Sequence, residues 1–455
     1  MAPRFGTSGL RGLVSELTAE VVADHIRAFL AVCETGGGLF LGRDLRESSP
    51  AIAHVVAQAA RADGVRVTDC GALPTPALAL GAMAAGQGAV MVTGSHIPAD
   101  RNGLKFYTRE GEITKDDEGA ILAALGRVPP GCKAALSAHE GVARAYAGRY
   151  LRAFGPGALA GLRIGVWQHS SVSRDLLVDV LAGLGARVVP LGRAETFVAV
   201  DTEAVDAAAR ARLAKWVAQH GLNALVSADG DGDRPLMLDA AGALVPGDIL
   251  GHLTAAFLCA EAVVTPVSSN TGIERDGRFR VIRTRIGSPH VIAGLAGAGA
   301  RAVGYEANGG FLLGFDAQGP AGPLAALPTR DAFLPILAAL SAARAGGVSL
   351  ADLVARLPAR FTASDRLTGI GSERARALMA RLATPEGAMA AAGLGLPVAR
   401  DMTDGLRLTD AAGRIVHFRP SGNAPEFRVY SEAETPERAR AILAGALEWL
   451  RATRP

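Results

Sequence analysis

The feature that most limits what this chain can fold into is an alternation. Short runs of β-branched and apolar residues are each followed by a longer Ala-, Leu- and Arg-rich stretch with helical spacing. Segments 39–41, 65–68, 89–93, 162–167, 187–190, 224–227, 263–268 and 301–305 read as strands. Many are apolar throughout, as expected of strands covered on both faces. Segments 19–33, 51–63, 174–183, 202–220, 248–259 and 330–343 read as helices, the first with Thr18 as its N-cap. Such alternation predicts an α/β chain with mostly parallel sheets.

The pattern also restarts. At 455 residues a single core is too small, and length alone suggests about three domains. A fresh unit begins at Leu162, and another near Ala262 after the turn Val245-Pro246-Gly247-Asp248. The last segment mixes helix and strand and ends in an amphipathic helix at 435–453, opened by Thr435-Pro436-Glu437. The expectation is three similar mixed α/β domains, at 1–145, 146–246 and 247–358, followed by a C-terminal α+β domain at 359–455.

Composition removes several function classes. A net charge of +3, from 47 basic and 44 acidic residues, together with the lack of a Lys/Arg-rich run, gives no reason to expect nucleic acid as a partner. Cys33, Cys70, Cys132 and Cys259 form no CxxC motif and read as free thiols of a reducing, cytoplasmic compartment. The N-terminus has no leader pattern. Segment 71–99 has no Asp, Glu, Lys or Arg, but Pro74, Pro76 and the Gly86-Gln87-Gly88 break leave too short a run to span a membrane.

Five loops interrupt the apolar pattern with glycine and polar residues. Phe5-Gly6-Thr7-Ser8-Gly9-Leu10-Arg11-Gly12 could set N–H groups and a guanidinium around an anion, or be a tight turn. Thr93-Gly94-Ser95-His96-Ile97-Pro98, followed by Lys105, ends a strand in a Ser-His pair. On extended backbone those two side chains point to opposite faces. Ser95 is then a turn serine, or a nucleophile activated by something other than His96. Asp229-Gly230-Asp231-Gly232-Asp233-Arg234 puts carboxylates at i, i+2 and i+4, an arrangement suited to a hard cation such as Mg²⁺ or Ca²⁺. An EF-hand fails at its sixth and twelfth positions, Arg234 and Ala240; a structural acidic turn stays open. Gly304-Tyr305-Glu306-Ala307-Asn308-Gly309-Gly310 offers a carboxylate and an amide to vicinal hydroxyls, or is a polar turn. Arg419-Pro420-Ser421-Gly422-Asn423-Ala424-Pro425, with Arg428 beyond, suits a phosphate dianion, or is a strand-ending turn with solvated arginines. No P-loop or GxGxxG fingerprint occurs, so a nucleotide is not required.

The order and wording of these loops resemble the α-D-phosphohexomutase family from Phe5 to Arg428, and within it most nearly the bacterial phosphomannomutases. The loop 93–98 is similar to the family's phosphoserine loop, and 229–234 matches its Mg²⁺ loop without a change. Loops 304–310 and 419–425 fall where the family reads its sugar and clamps the distal phosphate. The resemblance implies four domains around a central cleft, one loop from each. It implies Ser95 as phosphoryl carrier and Mg²⁺ ligand alongside Asp229, Asp231 and Asp233, with Lys105, Arg11 and His96 in the catalytic group. Arg234, Arg285, Glu306, Asn308, Arg419, Ser421, Gly422, Asn423 and Arg428 would bind substrate.

There are departures from the usual pattern: Gly94 for Ala, Ile97 for Asn, Arg285 for Lys, Asn308 for Ser, Asn423 for Thr, and Gly310 where several relatives carry a histidine. The implied activity is interconversion of hexose 6-phosphate and hexose 1-phosphate, mannose foremost, with hexose 1,6-bisphosphate as activator. Glucosamine or glucose phosphates are the alternatives. A non-catalytic sugar-phosphate-binding protein and a phosphatase are the rivals from other classes. A monomer or dimer is expected.

Overall fold

The computed structural model describes every residue except 1, 2, 7, 8, 130, 132, 395, 396, 422–425, 454 and 455. The strands form four main sheets in chain order, with a small two-stranded ribbon beside the third. In the first sheet, Gly88–Val92, Gly38–Arg43, Arg66–Ala72 and Leu136–Ala138 run parallel. Arg101–Thr108 then turns back antiparallel against Gly88–Val92 and is followed outward by Leu10–Leu13. The second sheet pairs Arg187–Arg193, Arg163–His169 and Ala224–Ala228 in parallel and closes with antiparallel Pro235–Asp239. The third pairs Arg280–Thr284, Ala262–Pro266 and Ala302–Tyr305 in parallel, then adds antiparallel Phe311–Leu313 and Leu327–Asp331.

The expectation of mostly parallel sheets therefore holds for the centre of each of the first three sheets and fails at one side. The physical reason is loop length. A parallel return needs a crossover of about a dozen residues or more, whereas an antiparallel neighbour can be reached by a short turn. The loops at 93–100, 229–234 and 306–310 are too short for a crossover. Each one joins the last parallel strand of its sheet to an antiparallel neighbour. Three loops singled out in the sequence thus occupy the same place in three sheets, at the carboxyl end of a parallel strand, where open α/β sheets place their ligands.

The fourth sheet is antiparallel throughout, in the order Phe361–Thr368, Glu426–Ala433, Ile415–Pro420, Leu406–Asp410, Pro397–Asp401. Helix Pro436–Ala452, capped by the Thr435 hydroxyl, packs across it and buries Ala439, Ile442, Ala446, Leu447 and Leu450 at helical spacing. This is the α+β unit anticipated for the last segment.

Local chemistry explains most element ends. Thr18 accepts a hydrogen bond from the Val21 N–H and starts Ala19–Val32. Two helix starts differ from the sequence reading by three residues or more. The helix anticipated at 202–220 begins at Ala207, because Asp206 accepts from the Ala209 N–H; Thr202 instead donates to the Asn308 carbonyl. The helix anticipated at 330–343 begins at Phe333, whose N–H donates to Asp331 at 2.9 Å, and Arg330 and Asp331 finish a strand.

The cores decide what can move. One apolar cluster is continuous through the first three units, running from Phe40, Leu78 and Met91 through Ile164 and Met237 to Tyr305 and Phe333. Helix Thr75–Ala84, which lies in the uncharged segment, is buried along most of its length and sits between the first and third sheets. No helix among the described residues is long and apolar enough to cross a membrane. The fourth unit has its own closed core around Leu406, Phe418, Phe427 and Leu450. Its described contacts with the third unit include polar ones: Asn270 Nδ2 donates to the Arg360 carbonyl at 2.8 Å, and Thr271 bonds Glu432. Contacts of this kind can be exchanged for water, so a shift of the fourth unit costs less than a shift among the other three.

Candidate active site

Ser95 sits in a bend that few side chains adopt. Its φ is +51°, in the left-handed region, which costs a non-glycine residue about 1–2 kcal/mol. What holds it there is Arg46, a buried guanidinium following Gly38–Arg43. Arg46 donates to the carbonyls of Ser95 (3.0 Å), Ile97 (2.6 Å), Pro98 (2.6 Å) and Arg101 (2.9 Å). Asp44 holds Arg46 in turn and accepts from Ser49 and from Thr93, at 2.5 and 2.7 Å. Thr93 Oγ1 accepts the Ser95 N–H at 2.7 Å.

The bend overturns the expectation that Ser95 and His96 face apart. That expectation assumed extended backbone, and in the left-handed turn His96 Nδ1 lies 3.3 Å from Ser95 Oγ. The closer partner is nevertheless Asp229: Ser95 Oγ donates to its Oδ2 at 2.6 Å. Burial, with Arg234 and Arg11 nearby, pushes the His96 imidazolium well below its ordinary pKa, so His96 is neutral here.

The aspartate loop meets the serine from the second sheet. The acceptor atoms of Asp229, Asp231 and Asp233 lie within 4.8 Å of one another, and all three residues are buried. Lys105, on the strand that returns from the serine loop, donates to Asp231 at 2.6 Å and to Asp233 at 2.5 Å. Thr75 donates to Asp231 at 2.6 Å. Burial and its two carboxylate neighbours push the Asp229 carboxyl well above the ordinary range. Burial acts the same way on Asp231, but Lys105, Thr75 and Arg11 outweigh it and hold that carboxyl far below.

Asp231 Oδ1 and Asp233 Oδ1 are buried with no hydrogen-bond donor among the described residues. Buried acceptors are rarely left so. Three converging carboxylates with two orphaned oxygens fit a hard cation.

Cations surround this centre. Arg11 reaches in from the first sheet and donates to the Thr93 carbonyl; burial, aided by Arg46 and Arg330, lowers its pKa to about 10. Arg234 Nε lies 3.8 Å from Asp233. From the third sheet, Glu306 pairs with Arg330 at 3.4 Å. Asn308 turns its side-chain oxygen onto the Gly310 N–H at 3.0 Å, so that oxygen shapes the loop.

Arg285 and Arg419 meet at the turn that carries Thr403 and Asp404. Arg285 Nε donates to the Thr403 carbonyl at 3.2 Å, and Arg419 lies 2.9 Å from Asp404, which also accepts the Ile286 N–H. The Nε–H groups of Arg234 and Arg428 are buried with no hydrogen-bond acceptor among the described residues, which leaves donors for an anion, whereas Arg419 Nε faces Asp404. Ser421 lies at the start of the same turn, its N–H donating to the Glu426 carbonyl at 2.9 Å. Gly422 and Asn423 lie outside the described residues.

Sequence reasoning missed Arg46, Thr75 and Arg330. Arg46 had a usable signal, since Asp44-Leu45-Arg46 follows a parallel strand at the end that carries Ser95. Arg330 was hidden by its assignment to a helix. Thr75 had no signal beyond its place in the uncharged segment.

Chemically, the site sets a hydroxyl beside three buried carboxylates that could hold a cation, with an ammonium on two of them and guanidinium groups nearby. This is the equipment of phosphoryl transfer, in which positioning and charge neutralisation do most of the work.

Comparison with known proteins agrees. Three family descriptions match successive parts of the chain: phosphoglucomutase/phosphomannomutase α/β/α domain I at residues 2–128, domain II at 156–242 and domain III at 246–361. The phosphomannomutase of Sinorhizobium fredii is 44% identical, over 98% of this chain and 98% of its own. That of Salmonella muenchen is also 44% identical, over 96% and 93%. The crystal structure of a phosphoglucomutase/phosphomannomutase family protein from Burkholderia thailandensis superposes with a TM-score of 0.75 at 19% identity, covering 99% of this chain and 98% of the other. The chain belongs to the phosphoglucomutase/phosphomannomutase family.

Proposed function

We propose that this member of the phosphohexomutase family interconverts mannose 6-phosphate and mannose 1-phosphate through a phosphoserine at Ser95 and a hexose 1,6-bisphosphate intermediate. The observation that carries the reading is the Ser95 hydroxyl held 2.6 Å from Asp229 inside the buried three-aspartate loop. Forty-four per cent identity to two phosphomannomutases supports mannose as the sugar. Asp229, Asp231, Asp233 and the Ser95 oxygen would hold Mg²⁺, which when bound neutralises phosphoryl charge as a Lewis acid.

The remaining roles fall to the chain's own groups. In the first half-reaction the P–O bond to Ser95 breaks and one forms to a sugar hydroxyl, whose proton is given up as Ser95 Oγ regains one. Lys105 and Arg11 stabilise the three equatorial oxygens of the transferring group. His96, neutral and within reach of Ser95 Oγ, orients that oxygen. Arg234 faces the substrate, and Glu306 with Asn308 takes the 3- and 4-hydroxyls. The bisphosphate then turns end for end and returns its other phosphate to Ser95. That requires a clamp indifferent to which phosphate it holds. Arg419, Ser421, Arg428 and Arg285, with Gly422 and Asn423, make such a clamp. A fourth unit cored separately from the rest can close over the intermediate and keep out water, which would otherwise hydrolyse it.

A reader of the 3- and 4-hydroxyls does not see C2, so glucose phosphates are accepted as well, less efficiently. Hexose 1,6-bisphosphate serves as activator by charging Ser95. The free thiols fit a cytoplasmic enzyme, acting as a monomer or dimer. The test is a comparison of kcat/KM for mannose, glucose and glucosamine 1-phosphates with Mg²⁺ and bisphosphate present. Mannose is expected to lead; a glucosamine lead would reassign the substrate, and no exchange with any of the three would sink the reading.

A further inference from the structure

Arg330 is the one strongly charged group at this site to which no role has been given. It is the penultimate residue of the strand Leu327–Asp331, is 2% exposed, and spends both terminal nitrogens on carboxylates of the protein. Its two terminal nitrogens face two different loops. One lies 2.9 Å from Asp233 Oδ2 on the aspartate loop, and the other 3.4 Å from Glu306 Oε2 on the sugar-reading loop. From the first sheet, Glu112 and Tyr107 also face it. Its neighbour Asp331 is fixed from the other side by the hydroxyls of Tyr146 and Tyr150. The backbone that carries Arg330 is thereby pinned to helix Gly141–Phe154.

The second observation is the space that Arg330 needs. A Cβ placed on Gly310 would come within 2.7 Å of Arg330 Cδ and 2.9 Å of its Cγ. No carbon contacts so close are tolerated, so any side chain at 310 displaces the Arg330 stem. Position 310 is thus bare where the arginine crosses from one loop to the other.

We propose that Arg330 is a positioning residue that holds the Glu306 carboxylate in register with the aspartate loop, and that Gly310 determines this by leaving its path open. The fork geometry matters, because the two terminal nitrogens of a planar guanidinium reach two separate loops in fixed directions, whereas an ammonium is a single compact point charge. The arrangement also sets a sign. Asp233 Oδ2 already faces Lys105 and Arg330, and both compete electrostatically with any cation the loop takes up. Arg330 therefore weakens cation binding while it strengthens sugar recognition.

The substrate side of this inference rests on the phosphohexomutase reading; the cation side does not. The test uses the full-length enzyme and the variants Arg330→Met, Arg330→Lys, Gly310→Ala and the double variant Arg330→Met/Gly310→Ala. Mg²⁺ affinity is read by calorimetry without substrate. Arg330→Met is expected to bind Mg²⁺ about fivefold tighter or more, the lower range for directly coupled sites. It is expected to raise KM for the hexose phosphate about tenfold, with a smaller change in kcat. Arg330→Lys keeps Mg²⁺ affinity within about twofold but not KM, because the charge remains and the bridge does not. Gly310→Ala reproduces the KM rise, and the double variant adds little to Arg330→Met, as expected when both act on one contact.

Weaker Mg²⁺ binding in Arg330→Met would show a merely structural role and overturn the proposal. So would additive KM effects in the double variant. A wild-type enzyme without mutase turnover would defeat the functional reading instead, while the calorimetry would still decide whether Arg330 opposes the cation.

Discussion

Replacing Arg46 with methionine removes the side chain that gathers the carbonyls of the Ser95 turn. Four carbonyls, of Ser95, Ile97, Pro98 and Arg101, lose a charged donor together. Each such bond contributes about 1.5–3 kcal/mol, not additively. Asp44 would be left buried without its ion-pair partner, a change that costs about 3–5 kcal/mol. Relaxation of Ser95 out of its left-handed conformation returns about 1–2 kcal/mol to the disordered loop.

The bond and ion-pair costs overlap, because both count the loss of one guanidinium; the low end of the ion-pair cost with the low end of the released strain disfavours native loop geometry by about 4 kcal/mol, or about three decades in the population of the competent loop. The strands Gly88–Val92 and Arg101–Thr108 that flank the loop are paired with each other, so the loss falls on the loop before it falls on the fold. The assay combines mutase kcat/KM, thermal melting and limited proteolysis. The expectation is a fall in kcat/KM of about 10³-fold, new cleavage near residue 97, and a modest drop in Tm. Arg46→Lys should recover little, since one ammonium cannot meet four carbonyls. A variant within threefold of wild-type activity, with no new cleavage, would refute the account of how Ser95 is held.

Burial raises the Asp248 carboxyl to about 6, although it accepts the Asn270 N–H at 2.8 Å. A raised folded pKa means that the folded state binds more protons, so stability falls as pH rises from about 4 to about 6. Asp248→Asn should accordingly raise Tm at pH 8, by relieving up to about 3 kcal/mol, and change little at pH 4; the reverse pattern in melting curves would contradict the sign. Asp404→Asn removes the carboxylate 2.9 Å from Arg419. Freeing that arginine should lower KM up to about fivefold, taking about 1 kcal/mol for the pair, and a higher KM in steady-state assays would count against it. Mg²⁺ should raise the melting temperature of the wild type through binding linkage, and Asp231→Asn should abolish that shift.

The parts of this molecule that were legible in the sequence are those set by local pattern. Strands such as 224–227 and the helix Arg174–Gly183 follow from apolar runs and spacing, and the aspartate loop announces itself by three carboxylates at alternate positions, a pattern suited to a hard cation. What was not legible depends on how the chain returns on itself. The short loops after Gly88–Val92, Ala224–Ala228 and Ala302–Tyr305 force an antiparallel partner, a consequence of loop length that a parallel reading passes over. Extended backbone would separate His96 from the Ser95 hydroxyl, yet the bend at Ser95 that brings them together is held by Arg46, distant in sequence. Arg330 became visible only once Asp331 was seen to cap a helix that starts two residues later. The Arg46 contact joins residues distant in sequence within one unit, where no local pattern reports it.

The central claim is that Ser95 carries the phosphoryl group between the two ends of the sugar. Incubation of the enzyme with hexose 1,6-bisphosphate, followed by peptide mapping by mass spectrometry, measures this directly. The account predicts one phosphoryl group on the peptide containing Ser95, discharged when mannose 1-phosphate is added, with bisphosphate formed in step. An active mutase whose Ser95 stays unmodified, or whose activity survives Ser95→Ala, would contradict it.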